Sequence, residues 1–117
     1  MKAVIEVSRK GSIFRAVAQQ VAAARQGRSP DFRLSFESAR SLFAELTPER
    51  LDLLDTLRRV GPCSVHTLAK AADRNYSNVR TDVLRLEELG LVERSEDGSV
   101  SVPFESVEIL VPLAQVG

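Results

Sequence analysis

The run Asn75-Tyr76-Ser77-Asn78-Val79-Arg80-Thr81-Asp82-Val83-Leu84-Arg85-Leu86 concentrates the side chains of this 117-residue sequence best suited to reading another molecule by hydrogen bonds. Ser, Thr and Asn are weak helix formers because their short polar groups compete with the backbone, yet those same groups donate and accept at close range. At helical spacing Val79, Val83 and Leu86 share one face. Ser77, Asn78, Thr81, Leu84 and Arg85 take the opposite face, with Arg80 to one side. Near the start of a helix such residues reach base edges in a major groove, where Asn suits adenine and Arg suits guanine. The amino terminus of the helix also favours a phosphate. Base contacts are therefore expected at Ser77, Asn78, Arg80 and Thr81, and phosphate contacts at Lys70, Arg74, Tyr76, Arg85 and Arg94. For each residue the alternative is an ordinary polar surface position. Tyr76 has either a backbone contact or a cover over the turn open to it. Leu84 has a thymine methyl, a neighbouring hairpin or another subunit.

Catalytic chemistry finds little material. One histidine and one cysteine, His66 and Cys63, cannot build a nucleophilic triad without unrelated partners, and Ser64-Val65-His66 lacks a glycine-flanked elbow. A single cysteine excludes an intramolecular disulfide and a thiolate metal cluster, and the Cys-x-x-His pair has no second half. The six glycines are scattered at turns rather than gathered in a phosphate loop. Glu87 and Glu88 are adjacent on a helix and diverge. No enzyme activity, cofactor or metal is expected.

The formal charge is zero, from 16 basic and 16 acidic residues, but the two signs are not mixed evenly. Residues 58–85 hold Arg58, Arg59, Lys70, Arg74, Arg80 and Arg85 against Asp73 and Asp82. Residues 86–117 hold Glu87, Glu88, Glu93, Glu96, Asp97, Glu105 and Glu108 against Arg94. A basic middle and an acidic end thus hide behind a neutral total, and it is local charge that decides what a surface attracts. With 44% hydrophobic residues and no Trp, the core is expected to be Leu, Val and Ala, which suits helices. No apolar run is long enough to span a membrane, and no secretory signal is present, so a cytoplasmic protein is expected.

The elements that must position the site are legible in the pattern. Lys2–Ser8 alternates and reads as a strand, Ile13–Gln26 carries a helical stripe behind Ser12, and Phe32–Phe36 alternates strictly as a second strand. Ser38–Leu46 reads as a short helix carrying Ala39, Leu42, Phe43 and Leu46. Thr47-Pro48-Glu49 opens the next helix, with Leu51, Leu54, Leu57 and Val60 facing inward and Gly61-Pro62 ending it. Ser64 caps a helix over Val65–Ala72, with Val65, Leu68 and Ala72 inward and small Ala69 permitting a close neighbour. Asn75 caps the polar-led helix, Gly90 ends it in a left-handed conformation, Leu91-Val92 starts a strand, and Asp97-Gly98 turns a hairpin whose return strand is Val100–Val102. Helix, turn, helix, turn, helix and hairpin in that order describe a winged helix-turn-helix with an acidic wing tip. The fold class expected is α+β: an amino-terminal strand-helix-strand-helix module over 1–46, the winged helix-turn-helix over 47–104, and a carboxy-terminal strand or tail over 105–117.

The stretch from Leu68-Ala69-Lys70 through Leu86-Glu87-Glu88-Leu89-Gly90-Leu91-Val92-Glu93-Arg94 resembles the MarR-like winged helix regulators. The longer run from Phe36 to Phe104, with Leu46-Thr47-Pro48-Glu49-Arg50 and Asn78-Val79-Arg80-Thr81-Asp82-Val83, is similar to a group of short archaeal and bacterial DNA-binding proteins of that kind. Some of these are thought to be antitoxins that repress their own operon. The resemblance implies a sequence-specific regulator of transcription acting on double-stranded DNA as a repressor, and it leaves an antitoxin with a toxin partner open. The long terminal dimerisation helices of ordinary MarR proteins are missing from this sequence.

One recognition helix gives limited specificity, so a homodimer on twofold half-sites is expected. The material for it lies in Lys2–Ser8, Ile13–Gln26, Phe32–Phe36 and the alternating Val107-Glu108-Ile109-Leu110-Val111, which either close edges across a dimer or complete one subunit's sheet. A winged helix that docks proteins and not DNA is the rival reading.

Overall fold

A computed structural model describes residues 1–8 and 31–114; the helix expected over Ile13–Gln26 lies outside them. The described chain divides into two units, one drawn from Met1–Glu45 and Glu105–Gly117, the other Leu46–Phe104.

In the first unit, strand β1 (Ala3–Val7) is buried along its whole length. It lies between β2 (Phe32–Phe36) and β5 (Val107–Leu110), and both neighbours run parallel to it. A strand with neighbours on both sides and cover on both faces must be apolar throughout, which Ala3, Val4, Ile5 and Val7 satisfy. The exception is Glu6, 9% exposed, whose carboxylate faces the Arg33 guanidinium at 3.5 Å. Ser38 hydroxyl oxygen accepts the Ser41 N–H at 3.1 Å and opens α1 (Ala39–Glu45), which packs against β1 and β2 with Leu42 fully buried. Of the two alternatives the sequence leaves for these strands, β1 takes the second. Lys2–Ser8 supplies no open edge, because β5 completes the subunit's own sheet beside it. Of the apolar residues the helix carries, Leu42 is buried but Phe43 is 51% exposed, since a helix of fewer than three turns buries only a narrow stripe.

In the second unit the caps set the helix boundaries. Thr47 Oγ1 accepts the Arg50 N–H at 3.3 Å and Pro48 sits in the first turn of α2 (Pro48–Val60), which Gly61 ends at a φ of 89°. Ser64 Oγ accepts the Thr67 N–H at 3.1 Å and opens α3 (Val65–Ala71). Asn75 Oδ1 accepts the N–H groups of Ser77 and Asn78 at 2.9 and 3.3 Å and opens α4 (Tyr76–Glu88). Gly90, at a φ of 84°, turns the chain out of α4. The hairpin follows as β3 (Glu93–Arg94) antiparallel to β4 (Val100–Ser101), and Cys63 bridges to the outer side of Val100. Three helices and a hairpin in this order make a winged helix-turn-helix, and the chain is α+β.

The core of this unit is aliphatic, with Leu53, Leu57, Leu68, Val79, Val83, Leu86, Leu91 and Val100 each no more than 2% exposed. Val79, Val83 and Leu86 are inward as the spacing requires. On α2 the buried face is Leu53, Leu54, Thr56 and Leu57, whereas Leu51 is half-buried and Val60 is 45% exposed. The stripe is rotated from the expected one because Val60 lies at the helix end, where the chain turns away at Gly61. On α3 the buried pair is Leu68 and Ala69, not Val65 or Ala72. Leu91 and Val92 are buried ahead of the wing strand rather than within it, so each wing strand is only two residues long. The inward face of α2 is tested by a pair of truncations. Leu53→Ala should lower the unfolding free energy in urea by about 2–5 kcal/mol, while Val60→Ala should change it by less than about 0.5 kcal/mol.

Candidate nucleic-acid interface

α4 carries the site because its two faces are fixed by opposite demands. Val79 and Leu86 are fully buried and Val83 is 1% exposed, which leaves Ser77, Asn78, Arg80, Thr81 and Leu84 outward. The four residues expected at base edges are thus all exposed and lie on the first two turns of one helix. Thr81 Oγ1 donates to the Ser77 carbonyl at 3.0 Å, which keeps its hydroxyl against the helix and its acceptor lone pairs outward. The Arg80 side chain forms no hydrogen bond or ion pair among the described residues, and neither does the Lys70 side chain.

The other cations expected at phosphates are not free. Arg74 Nη2 binds Asp82 Oδ2 at 2.8 Å, and Arg50 Nε binds Asp82 Oδ1 at 3.0 Å, so one carboxylate on α4 holds a guanidinium from α2 and one from the turn after α3. The Asp82 side chain is only 15% exposed. Arg74 Nη1 is buried without a partner, so this arginine keeps one donor unused. Arg85 Nη1 binds Glu88 at 2.9 Å on the same helix. Arg94 is the most engaged: Nε and Nη2 bind the Glu87 carboxylate at 3.1–3.2 Å, and Nη1 donates to the Gly98 carbonyl at 3.2 Å. It thereby ties the turn of the wing to the last turn of α4. Arg50 carried no functional expectation from the sequence, because its partner lies 32 residues away and no local spacing reveals the pair.

Tyr76 stacks on His66, with ring centroids 3.9 Å apart and planes within 6°. The stack forms one wall of a cleft of about 510 Å3 lined also by Ala69, Lys70, Asp73, Arg74 and Asn75, at the elbow between α3 and α4. Asp73 makes that elbow at a φ of 52°, the left-handed region a non-glycine residue enters only when held there. Its N–H donates to the Lys70 carbonyl at 3.1 Å and the following Arg74 N–H to Ala69 at 3.0 Å.

The wing tip stays acidic. The Ser95 hydroxyl and the Ser99 N–H, the latter at 2.9 Å, hold the Asp97 carboxyl below the usual carboxylate range. Cys63, half-buried beside the wing, has its thiol pushed up by burial. Among the described residues no cluster of His, Cys, Asp and Glu is placed to hold a metal ion, and no helix is long and apolar enough to cross a membrane.

The model of the HVO_A0114 family matches residues 45–109, more than half of the chain. No curated protein matches the sequence. The fold is similar to the homodimeric winged helix-turn-helix DNA-binding domain of Mb0332 from Mycobacterium bovis, a possible ArsR-family regulator, at 22% identity and a TM-score of 0.48, covering 85% of this chain and 78% of that one. It is similar to the repressor MarR from Listeria monocytogenes at 22% identity and a TM-score of 0.45, over 78% of this chain and 54% of that one. BpsR from Bordetella bronchiseptica follows at 24% identity and 0.44, over 81% of this chain and 64% of that one. The chain therefore spans less than two thirds of the Listeria and Bordetella proteins.

Two measurements test the geometry. Asp82→Asn leaves two guanidiniums without their counter-charge and should lower stability by about 2–3 kcal/mol in urea unfolding, well beyond an exposed pair. Because the Cys63 thiol titrates above its ordinary value, less thiolate is present at any given pH. Iodoacetamide should therefore label native Cys63 more slowly than it labels the unfolded chain at pH 8, with the gap closing as pH rises.

Proposed function

The chain belongs to the HVO_A0114 family, and for this member we propose a DNA-binding regulator of transcription that reads a major groove with α4. The observation that carries this reading is the pattern of charge compensation on that helix. Its three carboxylates are each bound by arginine: Asp82 by Arg50 and Arg74, Glu87 by Arg94, and Glu88 by Arg85. Arg80 and, on α3, Lys70 remain uncompensated among the described residues. A chain of zero net charge thus presents a locally positive, hydrogen-bonding helix face, the combination that base edges between two rows of phosphates require.

Ser77, Asn78, Arg80 and Thr81 take the base edges, with Asn78 matched to adenine and Arg80 to guanine. Lys70 takes a phosphate with its ammonium, and Arg74 and Arg85, both engaged with carboxylates, do so as cations at the edge of the helix face. Arg94 gives up most of its donors to Glu87 and Gly98, so its proposed phosphate contact is the weakest of the set. Tyr76, stacked on His66 in the wall of the elbow cleft, takes a phosphate through its hydroxyl. The protein acts as a homodimer on twofold sites and as a repressor, by covering promoter DNA. A docking module without DNA and an antitoxin with a toxin partner draw no observation of their own from the described residues.

Gel shift on the DNA upstream of the protein's own coding sequence, over a salt series, tests the reading. Arg80→Glu should weaken binding by about 10-fold or more and reduce the slope of log affinity against log salt by about 1. Unchanged binding by the Arg80→Glu, Arg85→Glu double variant would sink the assignment.

A further inference from the structure

The sheet of the first unit has two edges, and they are not alike. β2 is flanked by Asp31 and Glu37 and carries Arg33, the charged residues with which an edge strand is ordinarily kept from pairing. β5 carries one charge, Glu108, and the Lys2 ammonium binds it at 3.1 Å. Beside it Ile109 and Val111 are each 37% exposed and Leu110 is 53% exposed.

The backbone parity of β5 is fixed by its pairing with β1. The Ala3 N–H donates to the Ser106 carbonyl at 3.0 Å, and Ala3 is in register with Val107. In a parallel ladder this directs the groups of Ser106, Glu108 and Leu110 towards β1, and those of Val107 and Ile109 away from it, with Val111 next in the same phase. The outward groups are therefore the ones flanked by the exposed apolar side chains.

Resting on the dimer in the proposed function, we propose that a second copy of this chain pairs along β5, antiparallel, with the twofold axis at Ile109. That axis sets Ile109 against its own counterpart and Val107 against Val111 of the second copy, all on outward backbone groups. It sets each Glu108 opposite a Leu110, so no like charges meet, and each Glu108 keeps its Lys2. Pro112 falls on the inward parity, so its missing N–H removes nothing from the ladder between copies. The strand is thus complementary to itself in hydrogen bonding, charge and apolar side chains at once, which a twofold interface requires.

The full chain decides this by size measured with light scattering and by cross-linking. The wild type should be a dimer, and Ile109→Lys, which places two ammonium groups at the axis, should be a monomer with an unchanged helical spectrum. In a Cys63→Ser background, Ile109→Cys should oxidise to a covalent dimer, since directly opposed residues lie about 5.5 Å apart between Cα atoms, within disulfide reach. Ser35→Cys on the β2 edge should not. A wild-type monomer overturns the proposal, as does a dimer that survives Ile109→Lys or fails to cross-link through position 109. Cross-linking carries the decision if Ile109→Lys does not fold. Gel shift separates the readings: Ile109→Lys should bind the upstream DNA at least about 10-fold more weakly and with a shallower salt dependence, since one copy makes about half the phosphate contacts of two. Loss of all DNA binding by the wild type would sink the proposed function and leave the dimer result standing.

Discussion

Asp82 sits where three parts of the helix-turn-helix meet. Its carboxylate binds Arg50 of α2 at 3.0 Å and Arg74 of the elbow at 2.8 Å, while its own backbone belongs to α4. Apolar packing is non-directional, and a stripe of Val79, Val83 and Leu86 alone would let α4 slide or roll against its neighbours. Two guanidiniums on one carboxylate do not allow that, because each bond has a short, fixed length. A mostly buried ion pair contributes little net stability against a hydrophobic alternative, since desolvation offsets the attraction. What it contributes is phase: with Asp82 held on the side of α4 towards α2, Val79, Val83 and Leu86 stay inward and Ser77, Asn78, Arg80 and Thr81 stay exposed. The left-handed Asp73 fits the same constraint, because the elbow must bring Arg74 to the carboxylate within three residues of the end of α3.

The same pairing explains how a neutral chain can carry a basic face. Glu87 and Glu88 would oppose phosphate if left free, and each instead holds an arginine. Arg94, which looks from the sequence like a cation for DNA, is drawn into fixing the wing, and Arg85 is drawn into a helix pair. Of the cations expected at DNA, Arg80 and Lys70 are the ones left without a counter-charge among the described residues, a smaller and more sharply placed set than the distribution of charge along the sequence implies.

How much of this could be read from the sequence follows the range of each interaction. Thr47, Ser64 and Asn75 cap as their residue types require, because capping is decided within three residues. The two faces of α4 are legible for the same reason, being set by a spacing of three and four. The α2 stripe is misplaced by the periodicity, since a Leu-rich helix offers several stripes and only its neighbours choose among them. Val60 shows this best: its spacing is right, but the chain turns at Gly61 before anything can cover it. The partners of Arg50 and Arg94, and the placement of Lys2–Ser8 in the middle of the sheet, depend on residues from 7 to about 100 positions away, which no local pattern encodes.

The wing illustrates how one arginine can settle the division of labour. With Nε and Nη2 on Glu87 and Nη1 on Gly98, Arg94 joins the first strand and the turn of the short hairpin to α4. Two-residue strands have too few ladder bonds to stand alone, and the bridge from Val100 to Cys63 adds support on the other side. The tip beyond them carries Glu96 and Asp97, the latter kept ionised by Ser95 and Ser99, so the end of the hairpin repels a phosphate backbone. Under the proposed function the wing is therefore a strut that braces the end of α4, not a second reading head. Discrimination between sequences then falls on Ser77, Asn78, Arg80 and Thr81 within two turns of one helix. So short a reading surface specifies few base pairs, and that makes a second copy bound at a fixed distance a requirement of the chemistry rather than an embellishment of it.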